Sequence, residues 1–129
     1  MSRNTNQMVV SGNLTDEPTL NFTKSGTAVA HVTIAHNSQR FDGESGQWVD
    51  NDAVFVRCNV WGKQAENVAE SLHKGNHVIA SGEMSQNSYT DDAGVKRTTL
   101  ELEVTDIGPS LKFAPAQVAV PAAAAAPSI

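Results

Sequence analysis

Residues 52–75, DAVFVRCNVWGKQAENVAESLHKG, change hydrophobic period midway, and that change constrains the fold more than any other stretch. As far as Trp61 the period is two: Phe55, Arg57, Asn59 and Trp61 point one way, Val56, Cys58 and Val60 the other. From Lys63 onward Ala65, Val68, Ala69 and Leu72 recur at helical spacing, while Glu66 and Glu70 share another face. The spacing predicts a strand followed at once by a helix of about 11 residues, with Lys74 in its last turn and Gly75 as its stop. Small apolar side chains mark the core side of the strand. Two large aromatics and an arginine are left on the side that should be wet.

The flanking segments read as strands and turns. QMVVSGNLT is a short strand ending near Gly12-Asn13, EPTLNF is extended, and KSG turns. TAVAHVTIAHN is a long β-branched run, with Val29 and Thr33 on one side and Val32 and Ile34 near the other. RFDGESGQWVDN, with two glycines among polar residues, reads as an exposed loop or hairpin tip. After the helix, NHVIASGEMSQNSYT returns to strand and DDAG turns. VKRTTLELEVTDI then closes, with Leu100, Leu102 and Val104 alternating against Glu101 and Glu103. Three strands, one helix and two strands match the five-stranded oligonucleotide/oligosaccharide-binding barrel, a mainly β fold with its helix between strands three and four. A ferredoxin-like sandwich needs two helices, and only one is visible. The length, 129 residues, suits one domain, taken as 1–113. Residues 114–129, APAQVAVPAAAAAPSI, carry no charge, and Pro121 and Pro127 bracket five alanines. That composition predicts a neutral, disordered Ala/Pro-rich tail.

Nine basic against 14 acidic residues give a net charge of −5, which by itself argues against a phosphate-binding surface. Distribution can override the total. The core-forming positions are Val, Leu, Ile and Ala, so the seven aromatics (Phe22, Phe41, Trp48, Phe55, Trp61, Tyr89 and Phe113) are not the main filler. Phe41 and Trp48 sit in the polar loop, Phe55 and Trp61 on the wet face of strand three, and Tyr89 at the end of strand four. Unpaired bases are flat and apolar on their faces, so such rings bind them without reading sequence. Arg57 lies between Phe55 and Trp61, Lys63 just beyond, and Lys96 and Arg97 across the turn from Tyr89. Positive charge therefore neighbours the aromatics.

MVVSGNLTDEP, SGTAVAHVTIAHN, VFVRCNVWGKQAENVAESLHKGNHVIASGEM and YTDDAGVKRTTLELEV together resemble the bacterial single-stranded DNA-binding protein family, from about Asn6 to Leu111. The block W-G-K-x-A-E…L-x-K-G is the specific part. The resemblance implies an oligonucleotide-binding barrel, a homotetramer, and single-stranded DNA wrapped over aromatic side chains without catalysis. The implied role is sequence-independent binding and protection of single strands in replication, recombination or repair. Carried over residue by residue, the family's stacking positions fall on Phe41, Phe55, Trp61 and Tyr89. The family often has Trp at the first, second and fourth of these and Phe at the third, so the ring types are exchanged. Its basic positions fall on Arg3, Arg57, Lys63, Lys74 and Arg97. Two departures stand out. Where some relatives are basic before the strand-four aromatic, this chain has Ser85, Gln86, Asn87 and Ser88. The family's acidic tail tip, which recruits replication and repair enzymes, is replaced by PAAAAAPSI with no acid after Asp106, which puts such recruitment in doubt.

Other chemistry finds little footing. Cys58 is a lone cysteine between valines, which suits a structural thiol in a reducing, cytoplasmic setting. His73 and His77 straddle Gly75, and His31 and His36 are five apart on a strand, so no metal site is expected. Asp91-Asp92 is turn chemistry, and SGTA and GESG lack the lysine and helix start of a phosphate loop. No enzyme activity, cofactor or metal is expected, and no segment has the apolar length of a signal peptide or membrane span. Two competing readings use the same barrel: a protein-interaction or assembly module, and an RNA binder.

Overall fold

The computed structural model describes residues 6–51 and 53–118. In chain order the elements are β1 (Gln7–Leu14), β2 (Thr19–Phe22), β3 (Ala28–His36), β4 (Gln39–Asp42), β5 (Gln47–Asp50), β6 (Val54–Trp61), α1 (Lys63–Ser71), β7 (His77–Thr90) and β8 (Lys96–Pro109). The architecture is mainly β with one helix. Period-two stretches rich in β-branched residues became the long strands, because alternate side chains can enter one core while the others stay wet. Ala30, Val32 and Ile34 of β3, Val56, Cys58 and Val60 of β6, and Val78 and Ala80 of β7 are all buried. Leu14, Leu102 and the helix residues Ala65 and Val68 join the same cluster. Each larger apolar side chain buried there contributes about 1.5–3 kcal/mol.

One sheet runs β1-β7-β8-β6-β3-β2, and β1 pairs with β3 as well. The ladder therefore returns to where it began: β1–β7, β7–β8, β8–β6, β6–β3, β3–β1. Two links of this ring are short. β1 meets β3 only at Asn13↔Ala35 and Leu14↔Ile34. β6 and β8 run parallel through Arg57↔Glu101, Cys58↔Leu102 and Asn59↔Glu103. The three strands, helix and two strands expected from the sequence are β1, β3, β6, α1, β7 and β8. The observed strand count is larger because EPTLNF adds β2 to the edge of β3, and the polar loop folds into its own β4–β5 hairpin.

Two boundaries differ from the expectation. β1 runs one residue past the expected end near Gly12-Asn13, to Leu14. Gly12 stands one residue before Asn13, which pairs with both β7 and β3, and a Cβ at Gly12 would collide with the backbone carbonyl of Ala35. The helix is also shorter than its sequence pattern, nine residues rather than about 11, and has no basic residue in its last turn. Leu72 already takes extended backbone, with φ −105° and ψ 145°. Its side chain is buried in the core, so the chain leaves the helix in order to seat it. Lys74 thus lies in the turn that follows, not in the helix. Arg3 and residues 119–129, the greater part of the expected tail, lie outside the described residues.

Candidate nucleic-acid interface

On β6 the side chains alternate as the sequence requires. Val56, Cys58 and Val60 face the core at 1% exposure or less, while Phe55 and Trp61 are 58% and 48% exposed. Arg57 is exposed between them. Like-facing residues on a strand are about 6.6 Å apart, so the row Phe55–Arg57–Asn59–Trp61 is some 20 Å long. β3 extends the same face, with Ala35 across from Phe55, Thr33 across from Arg57 and His31 across from Asn59. The strand ends at Trp61 because Gly62, with φ 72°, turns directly into the helix. That φ suits glycine, which has no Cβ to clash. Lys63 is the first helical residue and is exposed.

The other edge of this face is acidic. Trp61 Nε1 donates to Glu103 Oε2 at 3.0 Å, and Asn59 Nδ2 donates to Glu103 Oε1 at 2.9 Å. With its amide nitrogen so engaged, Asn59 accepts through Oδ1 from His31 Nδ1 at 2.8 Å. One hydrogen-bonded chain thus crosses β3, β6 and β8 and fixes one edge of the indole. Glu101, in register with Arg57, accepts from Asn87 Nδ2 at 2.9 Å. The sequence shows Glu101 and Glu103 as the polar half of an alternating strand. Only the parallel β6–β8 register shows that they stand beside Arg57 and Trp61.

The remaining candidates stand on separate arms. Phe41 packs edge-on against Trp48 across β4–β5, with ring centroids 5.6 Å apart and planes at 73°. Trp48, absent from the family-derived set, is therefore the partner of one of its members, and both rings are exposed. Tyr89 is exposed near the far end of the β7–β8 hairpin, across from Arg97. Arg97 Nε donates to Asp91 Oδ2 at 2.9 Å, so its charge is already shared with the turn. That hydrogen bond, aided by the Val95 and Ala93 backbone N–H groups, holds the Asp91 carboxyl below its ordinary range. Lys74 is exposed, beyond the helix and away from the Trp61 end, where Lys63 lies.

Burial pushes the Cys58 thiol up to about 12, which makes it a poor nucleophile. The four histidines fall into separate contacts: His31 with Asn59, His36 with the Ser11 carbonyl, His73 with Glu17 and His77 with Asn13. Among the described residues no group of three His, Cys, Asp or Glu side chains is placed to hold a metal, and no helix is long and apolar enough to cross a membrane.

Comparison with known proteins places the chain in a family. The profile described as "Single-strand binding protein family" matches residues 5–110. A single-stranded DNA-binding protein of Mycolicibacterium smegmatis is 51% identical over 111 residues, covering 86% of this chain and 67% of the relative. One from Paenarthrobacter aurescens is 52% identical over 111 residues, covering 86% and 65%. Single-stranded DNA-binding protein 2 of Streptomyces coelicolor is 48% identical, and the match spans 56% of its length. Among solved structures, the small single-stranded DNA-binding protein from Streptomyces coelicolor superposes with a TM-score of 0.74 at 22% identity, over 84% of this chain and 97% of that one. That likeness carries the fold; the sequence matches carry the family. With the exposed aromatic row, the W-G-K block and a profile match over most of its length, the chain belongs to the single-strand binding protein family.

Proposed function

We propose that this chain binds single-stranded DNA without reading its sequence, and so protects it in replication, recombination or repair. One observation carries the reading: Phe55, Arg57 and Trp61 stand exposed in a single row over a strand whose other side is packed core. Each base stacked on such a ring is worth about 1–3 kcal/mol. Arg57, Lys63, Lys74, Arg97 and Arg3 are the phosphate partners in this reading, and Phe41 and Tyr89 are further stacking rings on the two arms. We take the closed ring of pairings as the five-stranded oligonucleotide-binding barrel, with β2 and the β4–β5 hairpin as additions. A homotetramer fits the exposed Val9 and Ile79 on the outer side of β1 and β7. The buried free thiol suits a reducing cytoplasm.

The test is titration with poly-dT in a Trp48→Phe background, where Trp61 reports alone. Binding should quench Trp61 and weaken with salt. Replacing Phe55 and Trp61 together by Ala should cost about 2–6 kcal/mol, two stacks' worth. No quenching, or an unchanged affinity in the double variant, would sink the proposal. The carboxylates beside Trp61 favour a second reading, a protein-contact surface. In that case oligonucleotide would leave both fluorescence and assembly untouched.

A further inference from the structure

A cleft lies off the aromatic face. It has a volume of about 470 Å³ and is lined by the later part of β1, the end of β3, the turn before β7 and the segment after β8. In a chain of net charge −5, its described lining contains no Asp or Glu. It contains Lys112, two imidazoles (His36 and His77), the side-chain amides of Asn37 and Asn76, and the ring of Phe113. The charge in this cleft suits an anion.

The imidazoles are held in place. His36 Nδ1 donates to the Ser11 carbonyl at 2.8 Å, and His77 Nδ1 contacts Asn13 Oδ1 at 2.6 Å. Because an amide oxygen only accepts, both rings carry hydrogen on Nδ1, which leaves Nε2 as the second nitrogen of each. The edge of His77 meets Phe113, with centroids 4.8 Å apart and planes at 84°. Lys112 Nζ stands 5.4 Å from the Phe113 centroid. The Phe113 ring is nonetheless 70% exposed, so surface remains free for a further flat group.

Position gives the cleft its occupant. Ala35 and His36 line it, and they pair with Phe55 and Val54. A strand laid along β6 from Trp61 to Phe55 therefore runs on to the mouth of this cleft. We propose that the cleft takes a phosphodiester of the bound strand, one step beyond the base on Phe55. Lys112 and the Asn37 and Asn76 side-chain amides donate to the phosphate, the two imidazoles flank it, and Phe113 offers the next stacking ring. The proposal rests on the single-strand reading of β6, and its chemistry is shared with free inorganic phosphate.

The test uses the full chain with its histidine imidazoles observed by NMR, alongside Trp61 fluorescence in the Trp48→Phe background. The oligo-dT should sit at the long end of the ~4–16 nucleotides that one such domain covers. It should shift the His36 and His77 resonances as Trp61 is quenched. Lys112→Gln should flatten the salt dependence by about 0.7 in slope, one phosphate's share for a single strand. Lys112→Gln combined with Phe113→Ala should weaken binding at least fivefold; both side chains are exposed, so the fold is not at risk. Full Trp61 quenching with motionless imidazoles and unchanged slope would overturn the cleft while leaving the β6 reading intact. Absence of Trp61 quenching would remove both. If inorganic phosphate shifts the imidazoles and the oligonucleotide does not, the cleft is a free-phosphate site and the strand assignment fails.

Discussion

At the scale of single residues, the period-two pattern of β6 was fully legible: which side Phe55, Arg57 and Trp61 face follows from alternation and was found so. What alternation could not show is who stands beside them. Glu103 is 42 residues from Trp61, and only the parallel register joins them. Its carboxylate holds the indole edge but also places negative charge where a phosphate would pass. Glu103→Gln keeps an acceptor and removes the charge. At ~8 Å in water one charge is worth ~0.5 kcal/mol, so oligo-dT affinity should rise roughly twofold at low salt. Cys58 makes a different prediction. Its folded value of about 12 lies above the ordinary 9.0, so above pH 9 the unfolded chain gives up a proton that the folded chain keeps. Stability should therefore be full below pH 9 and fall by about 1.4 kcal/mol per pH unit from there towards 12. Denaturant melts of wild type and Cys58→Ala across that range should differ in slope by this amount.

At the scale of elements, starts were readable and ends were not. The helix begins where W-G-K says it should, because Gly62 can make the turn. Its end followed the burial of Leu72, a tertiary demand that overrode the helical spacing continuing to Lys74. The RFDGESGQWVDN stretch was legible as a loop or hairpin tip, but its Phe41–Trp48 pair depends on the β4–β5 register and could not be seen in composition. Gly12 looked like a strand terminus and instead stands one residue before Asn13, which pairs with both β7 and β3. What a Cβ on Gly12 would meet first is backbone, which cannot swing aside. Gly12→Ala should thus destabilise the protein by at least the ~1–3 kcal/mol typical of overpacking, read as a lowered thermal midpoint.

For the whole molecule, the acidic balance and the binding face were in tension from the start, and the structure reduces that tension without removing it. Five cations were carried over from the family, and Arg97 already shares its charge with Asp91. Lys112 of the proposed cleft site brings the phosphate partners to six. The salt dependence of poly-dT binding should therefore be no steeper than about −4.2 in log–log slope per chain, six times the single-strand increment of about 0.7. A titration series at several salt concentrations measures it, and a much steeper slope would mean that cations elsewhere carry the binding. The strand order was legible because each strand announces itself locally. The closure of the ring was not, because it rests on the two-rung β1–β3 link and the three-rung β6–β8 link between distant segments. Those links have a consequence in time. The β7–β8 hairpin has a five-residue connection and can zip within microseconds. Arg57 and Glu101, by contrast, must find each other across 44 residues of chain, and few rungs reward the search once they do. Ring closure should then be the late, slow event of folding, set in the millisecond-to-second range of non-local β topologies. Weakening the closing rungs should hasten opening far more than it delays assembly.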